Sequence, residues 1–184
     1  MDTSGFNTMQ KIKHRFFALR NGAIADSMRR QGAPYKIIFG VNLPQLSAIA
    51  AEIEPSAELA QSLWDNVSTR ESMLLAPMIY PREQFDISTA RKWVESASSA
   101  ETVDILCMKL LKHMEYAEQL ADELILSDSD MIRYTALRLM FNLLPSRLTE
   151  TKAYALAELS KQSPMTISIA TSLLQEINFL EEEN

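Results

Sequence analysis

Glycine is scarce in this chain, and helical periodicity runs through most of it. Only four of the 184 residues are glycine, well below the roughly 7% of average proteins. Valine is also sparse, whereas the helix formers Leu, Ala, Met, Glu and Lys are abundant. No segment shows the sustained alternation of apolar and polar residues that a half-buried strand needs. The sequence therefore predicts an all-α fold with about nine to eleven helices and no sheet.

Capping signals predict where several helices begin. Ser56 precedes a segment whose apolar positions recur with helical spacing. The Ser-x-x-Glu spacing of a capping box, in which the two side chains satisfy each other's backbone N–H groups, occurs at residues 68–71 and 98–101. Ser163, followed by a proline, predicts the start of a C-terminal helix that runs toward Leu180.

Short loops join these helices in an unbroken series, which favours either a bundle or a stack of helix pairs. Loop signals recur every 15 to 20 residues or so, which fits the roughly 40-residue two-helix units of a HEAT-type solenoid. The longest loop-like stretch, QGAPYKIIFGVN at residues 31–42, is apolar, so we predict a connection inside a domain rather than a linker. The length predicts one domain, over residues 1–184.

Composition and charge exclude several classes of protein. The chain is 47% apolar and 23% charged, which is typical of a globular protein rather than a disordered or membrane protein. No apolar run is long enough to span a membrane, no signal peptide is recognisable, and the single cysteine, Cys107, cannot form an internal disulfide. These features predict a cytoplasmic location.

The charge pattern bears on nucleic acid as a partner. A net charge of -6 counts against a surface that binds nucleic acid all over, but it leaves room for a local basic groove. Six basic residues lie near the N-terminus, where they can touch phosphate, although a solvated helix face is the simpler interpretation: Lys11, Lys13, Arg15, Arg20, Arg29 and Arg30.

Four segments carry a family resemblance when they are taken together. They are YKIIFGVNLPQLSAIAAEI (35–53), LAQSLWDNVSTRESMLLAPMI (59–79), ARKWVESASSAETVDILCMKLL (90–111) and DSDMIRYTALRLMFNLL (128–144). Their order and spacing resemble the DNA alkylation repair family of AlkD-like HEAT-repeat DNA glycosylases, with this chain as a divergent and shortened member. The resemblance implies a curved solenoid of antiparallel HEAT-like helix pairs that holds double-stranded DNA on its concave face. It also implies removal of N3- or N7-alkylated purines without a metal or cofactor.

The resemblance places the catalytic aspartate of the family at Asp104, in the segment TVD. An alkylated purine is cationic and leaves readily, so its removal needs mainly a carboxylate near the sugar that stabilises an oxocarbenium-like transition state and positions a water. On a helical wheel Asp104 lies at the edge of the apolar stripe formed by Val103, Leu106 and Leu110. The alternative interpretation is a solvated aspartate or the partner of a neighbouring basic residue.

The resemblance assigns a contact with the DNA backbone to Arg133, in the segment MIRYTALRLM. The helix around it is so apolar that the guanidinium needs a partner. A structural ion pair with Asp104 or Asp130 is the alternative.

Both tryptophans, Trp64 and Trp93, match packing positions of the family pattern, so we predict that both rings are buried. The tryptophan that the family carries shortly before its aspartate is replaced here by the stretch SSAET. A non-catalytic HEAT-like module that binds DNA or protein is therefore the alternative to a glycosylase.

Other kinds of site have little support in the sequence. His14 and His113 are far apart, and no cluster of His, Cys and Asp has the spacing of metal ligands, so we predict neither a metal nor a cofactor. Cys107 lies on the apolar stripe and is predicted to be a small core residue.

Overall fold

The computed structural model describes the backbone of residues 3–183 and the side chains of residues 8–183. Eleven α-helices form in this part of the chain: α1 (Thr3–Ala18), α2 (Gly22–Arg30), α3 (Leu43–Ala51), α4 (Ala57–Trp64), α5 (Arg70–Ile79), α6 (Ile87–Ser96), α7 (Ala100–Lys109), α8 (Ala117–Leu124), α9 (Asp130–Leu143), α10 (Leu148–Ser160) and α11 (Ile167–Glu182). Short 3₁₀ turns follow α5 and α7. Between residues 3 and 183 there is no strand, and an isolated bridge joins Ile37 and Thr69. The all-α prediction is confirmed.

The chain divides into two compact units, Met1–Asp86 and Ile87–Asn184. In the first unit α5 packs against α3 and α4, and in the second α9 packs against α7 and α8 while α10 packs against α11. Neighbouring helices therefore pair as a HEAT-like arrangement requires. The single domain over residues 1–184 stays a prediction.

A buried acid organises the first unit. The Glu71 carboxylate is fully buried and accepts backbone N–H groups from Phe39, Gly40 and Val41 at 3.1, 3.0 and 3.3 Å. The Arg70 guanidinium, which is also buried, donates to the same carboxylate at 2.8 Å and to the Val41 carbonyl at 3.0 Å. The first residues of α5 thus hold the apolar loop at residues 31–42 in place. The backbone N–H groups of the loop gain an acceptor, and the buried negative charge gains both hydrogen bonds and a cationic partner.

The same loop approaches the start of α2 too closely for any side chain. Gly40 has a φ of +76°, and a Cβ atom there would lie 2.3 Å from the Asn21 carbonyl oxygen. Asn21 also donates its N–H to the Phe39 carbonyl at 2.8 Å. Only glycine fits this position, both for its backbone conformation and for space. The stretch 31–42 is therefore an ordered connection inside the first unit, as its apolar composition predicted.

One of the predicted helix starts is confirmed. Ser56 is the N-cap of α4, and its hydroxyl accepts the N–H of Leu59 at 3.2 Å. The capping box at 68–71 is wrong, because the N-cap of α5 is Thr69 and Glu71 binds the distant loop instead.

The other two predicted starts are displaced along the chain. Ser99 rather than Ser98 caps α7, by accepting the N–H of Thr102 at 3.1 Å, so the box at 98–101 does not form. The C-terminal helix begins three residues later than its proline suggests, with Thr166 as N-cap, because the Ser163 hydroxyl donates to Asp130 at 2.7 Å and a turn intervenes.

Both tryptophans are buried, as predicted. Trp64 in the first unit is 2% exposed and Trp93 in the second is 1% exposed. Neither ring is therefore available to stack on a nucleotide. None of the helices in the described part of the chain has the length and apolar character needed to cross a bilayer.

Candidate functional site

Asp104 lies on α7 in the second unit, at the border between core and solvent. Its neighbours Val103, Ile105, Leu106 and Cys107 are all buried, whereas its own side chain is 29% exposed. The helix ends at Lys109 and is followed by a 3₁₀ turn, so it is shorter than the apolar stripe suggested. The carboxylate is held at the edge of the packed face because its neighbours anchor α7 against α9.

Two side chains of α9 face this carboxylate. The Tyr134 hydroxyl donates a hydrogen bond to Oδ1 of Asp104 at 2.8 Å. Nε of Arg138 lies 2.9 Å from the same oxygen. Nε is buried, and its N–H finds no hydrogen-bond acceptor among the described residues although the Asp104 oxygen is close. The N–H is therefore not directed at that oxygen, and the contact is an ion pair rather than an aligned hydrogen bond. Tyr134 and Arg138 are four residues apart and share one face of α9.

The surroundings of Asp104 act on its charge in opposite directions. Partial burial raises the pKa of the Asp104 carboxyl, the hydrogen bond from Tyr134 and the charge of Arg138 lower it, the charge of Glu101 raises it, and the net result is a raised pKa. Burial and the nearby carboxylate likewise raise the pKa of the Tyr134 hydroxyl, which therefore stays a donor. A half-exposed acid with a raised pKa and two positioned partners is typical of a functional site, although structural ion pairs also produce such shifts.

Cys107 lies one helical turn from Asp104 but is a core residue, as predicted. Its side chain is fully buried, and the thiol contacts the Thr135 carbonyl at 3.8 Å. Burial raises the pKa of the Cys107 thiol strongly, which removes the thiolate that a nucleophile would need.

The exposed edge of α9 continues with an aromatic ring. The guanidinium carbon of Arg138 lies 5.7 Å from the ring centre of Phe141, which is partly exposed. Asp104 is thus accompanied by a tyrosine, an arginine and a phenylalanine from one helix. Sequence reasoning missed all three, although the spacing of 134, 138 and 141 follows one helix face and was readable.

Arg133 lies elsewhere on α9 and does not meet Asp104. Its Nε donates to both oxygens of Glu158 at 3.0 and 3.1 Å, and its Nη1 donates to the carbonyls of Ser127 and Asp128 at 2.9 Å each. Nη2 donates to Asp130. The side chain is only 7% exposed. The structure therefore contains the ion pair with Asp130 that was the alternative, and it does not contain one with Asp104.

Glu158 is the centre of this second cluster. It also accepts the Thr166 hydroxyl at 2.8 Å and pairs with Lys161 at 2.9 Å. Burial alone would raise the pKa of Glu158, but the hydrogen bonds from Lys161, Arg133 and Thr166 outweigh it and the pKa is lowered. The cluster joins α9, α10 and the turn before α11, which is a structural task. A DNA contact by Arg133 remains a prediction.

No group of three or more His, Cys, Asp and Glu side chains that could hold a metal ion exists in the described part of the chain. The residues around Asp104 bring three polar groups together at a partly exposed edge of the second unit: a carboxylate, a hydroxyl donor and a guanidinium. Groups of this kind can stabilise charge on a ligand.

Comparisons with known proteins agree with the resemblance. The family model described as DNA alkylation repair enzyme matches residues 12–180. A search of curated proteins finds no match. One similar solved structure is described as a new family of proteins related to the HEAT-like repeat DNA glycosylases with affinity for branched DNA structures. It has 21% sequence identity to this chain and a TM-score of 0.76, and the match covers 89% of this chain and 73% of that one. At this identity the likeness establishes a shared HEAT-like fold.

Proposed function

Since the chain belongs to the DNA alkylation repair enzyme family, we propose that it binds DNA and removes N3- or N7-alkylated purines, with Asp104 as the catalytic carboxylate. The observation that carries the proposal is the position of Asp104, half-exposed and held by Tyr134 and Arg138. Affinity for branched DNA in a protein of the same fold supports DNA as the ligand. Double-stranded DNA on a concave face, as the family resemblance implies, and a cytoplasmic location belong to the proposal.

Removal of an alkylated purine requires little from the protein beyond a negative charge close to the sugar. Alkylation at N3 or N7 makes the purine cationic, so the glycosidic bond breaks with its electrons leaving on the base and positive charge developing on the sugar. A carboxylate at the sugar stabilises that charge and accepts a hydrogen bond from the attacking water. Tyr134 and Arg138 both favour the ionised form of Asp104, which is the form required.

Arg138 is the better candidate for a contact with the DNA backbone than Arg133. Its side chain is 30% exposed, against 7% for Arg133. A planar guanidinium that touches Asp104 through Nε can still present its outer nitrogens to a phosphate that flanks the damaged nucleotide. In this proposal Arg138 binds the backbone and Asp104 acts on the adjoining sugar.

A non-catalytic DNA-binding protein is the second candidate, and a specific observation favours it. The Asp104 carboxylate already has a cationic partner in Arg138, which offsets part of the charge that would stabilise an oxocarbenium ion. The aromatic residue expected before Asp104 is also absent from the sequence SSAET. In this case Asp104 only orients Arg138 toward phosphate, and no base is released.

The experiment that separates the two candidates measures release of 7-methylguanine and 3-methyladenine from methylated duplex DNA at low salt. We expect wild type to release base above the spontaneous rate and Asp104→Asn to lose most of this activity, by about 10²- to 10³-fold, because the amide keeps the shape but not the charge. Asp128→Asn, which changes an exposed loop carboxylate in the same unit, is the matched control and should retain full activity.

The results decide between the candidates directly. No release by wild type, with DNA binding intact, would favour the non-catalytic candidate. Equal release by wild type and Asp104→Asn would mean that the activity does not depend on Asp104. Absence of both base release and DNA binding would contradict both candidates.

A further inference from the structure

Positive charge is concentrated at one end of the sequence. Residues 1–36 contain seven basic and two acidic residues, a formal charge of +5, whereas the remaining 148 residues contain eleven basic and 22 acidic ones, a charge of -11. An acidic protein of this kind repels polyanions in general. The basic N-terminal region is therefore the part of the chain whose charge attracts them.

The structure sorts the basic residues of this region into paired and unpaired ones. Arg15 forms an ion pair with Glu52, and Arg29 pairs with Asp26 at 2.8 Å. The other five are exposed, and none forms an ion pair with any carboxylate between residues 8 and 183: Lys11, Lys13, Arg20, Arg30 and Lys36. Their charges are therefore not neutralised within the described part of the protein.

Lys13 and Arg20 lie on a single solvent-facing stripe of α1 and the turn that follows it. Phe16 and Ile12 are buried, at 0% and 3% exposure, and fix the opposite side of the helix. We call the exposed side the α1 stripe; with spacings of three and four residues it consists of Gln10, Lys13, His14, Phe17 and Arg20. Lys13 and Arg20 are seven residues apart, about 10 Å at the 1.5 Å rise per residue of an α-helix.

An exposed aromatic ring fixes the orientation of Arg20 at the end of the α1 stripe. Phe17 is 58% exposed, and the Arg20 guanidinium lies over its ring at 3.9 Å from the centre. Arg20 also donates to the Phe17 carbonyl at 2.9 Å. These contacts hold the guanidinium in one orientation before any ligand arrives, which lowers the entropic cost of binding an anion.

We propose that the α1 stripe is a binding surface for the phosphate backbone of DNA, with Lys13 and Arg20 each contacting a phosphate. This inference rests on the proposed function, because it takes DNA as the ligand. Laid along a duplex, a separation of about 10 Å covers roughly three phosphates of one strand at about 3.4 Å of axis each, so both cations can each reach a phosphate. Phe17 acts as the support of Arg20.

The experiment measures binding of a fluorescently labelled DNA duplex to the full chain by anisotropy at several salt concentrations. The test variant is the double substitution Lys13→Ala with Arg20→Ala. The matched control is Arg82→Ala with Lys92→Ala, which removes the same charge from two other exposed positions. A third variant, Phe17→Ala, keeps both charges but removes the support of Arg20.

We expect the test variant to bind several-fold more weakly, with a slope of log affinity against log salt that is shallower by about 1.8, since each lost phosphate contact removes about 0.9. Phe17→Ala should weaken binding less and leave most of the slope. The control should match wild type in both quantities. Far-UV circular dichroism of the variants checks that they remain folded.

Four results would overturn the inference, and only the last of them is also a failure of the proposed function. If the test variant binds duplex like wild type, the stripe is wrong while DNA binding stands. If the control loses as much as the test variant, the effect is general charge rather than a site. If poly-glutamate competes as well as DNA, the surface binds acidic polypeptides instead. If wild type binds no DNA even at low salt, the proposed function fails as well.

Discussion

The buried acid of the first unit gives the sharpest stability prediction. Glu71→Gln keeps the shape of the side chain but replaces one carboxylate oxygen by an NH₂ group and removes the charge. In its less costly orientation the amide oxygen still accepts from Gly40, Val41 and Arg70, while the NH₂ group faces the N–H of Phe39. A buried donor without an acceptor costs about 1–3 kcal/mol. Breaking a buried ion pair by neutralising one partner costs about 3–5 kcal/mol.

These two costs overlap, so we expect Glu71→Gln to lower the free energy of unfolding by about 3–5 kcal/mol. That is a large part of the roughly 5–15 kcal/mol that stabilises a typical protein. For a chain of this length each kcal/mol shifts the melting temperature by about 2–4 °C, so the midpoint should fall by roughly 6–20 °C.

Thermal and urea unfolding followed by circular dichroism measure this effect. Glu52→Gln is the matched control, because it makes the same chemical change at an exposed carboxylate that pairs with Arg15 in the same unit. Exposed pairs contribute little, so its midpoint should equal that of wild type. A Glu71→Gln midpoint within error of wild type, or a shift no larger than that of Glu52→Gln, would refute the role given to the buried acid.

Three further predictions concern the second unit and the domain organisation. The pKa of Glu158 is lowered because its hydrogen bonds outweigh burial, so the ionised carboxylate stabilises the fold at pH values above the ordinary pKa of 4.5, and this stabilisation is lost as the pH falls below it. The free energy of unfolding of Glu158→Gln should therefore fall less steeply on acidification than that of wild type. Burial raises the pKa of Asp104, so its ionised form is less favourable in the folded than in the unfolded chain. Asp104→Asn should therefore raise the unfolding midpoint at pH 7, and this increase should disappear as the pH falls through the raised pKa. Trp93→Phe leaves Trp64 as the fluorescent probe of the first unit, and Trp64→Phe leaves Trp93 as the probe of the second. If residues 1–184 form one domain, the urea unfolding transitions of the two variants, followed by fluorescence, should coincide, and separate midpoints would contradict it.

The fold was predictable from the sequence because helices depend on local patterns. Apolar residues at spacings of three and four, with few glycines, were enough for the all-α class and for the burial of Trp64 and Trp93. The capping boxes failed for a physical reason that no local pattern contains. Glu71 is three residues after a serine, but backbone N–H groups some thirty residues earlier in the chain, at Phe39 and Gly40, bind its carboxylate instead.

The candidate site was predictable only in part. The resemblance pointed to Asp104, but not to the side chains that face it, because their identity depends on the register of α7 against α9. Arg133 and Arg138 are five residues apart, which at about 100° per residue separates their directions by roughly 140°. Arg133 turns toward Glu158 and Arg138 toward Asp104. A single helix thus carries one arginine for structure and another for the candidate site, and only the packing distinguishes them.

The catalytic role proposed for Asp104 is tested by the single-turnover rate of 7-methylguanine release, with protein in excess over methylated duplex DNA, for wild type beside Asp104→Asn. Saturating protein separates the chemical step from binding, so a difference in rate reports on Asp104 at the sugar rather than on affinity. We expect release by wild type well above the spontaneous rate, and a rate at least 10²-fold lower for Asp104→Asn with unchanged DNA affinity. Identical rates for the two proteins, or a wild-type rate no faster than spontaneous depurination, would contradict the proposed role.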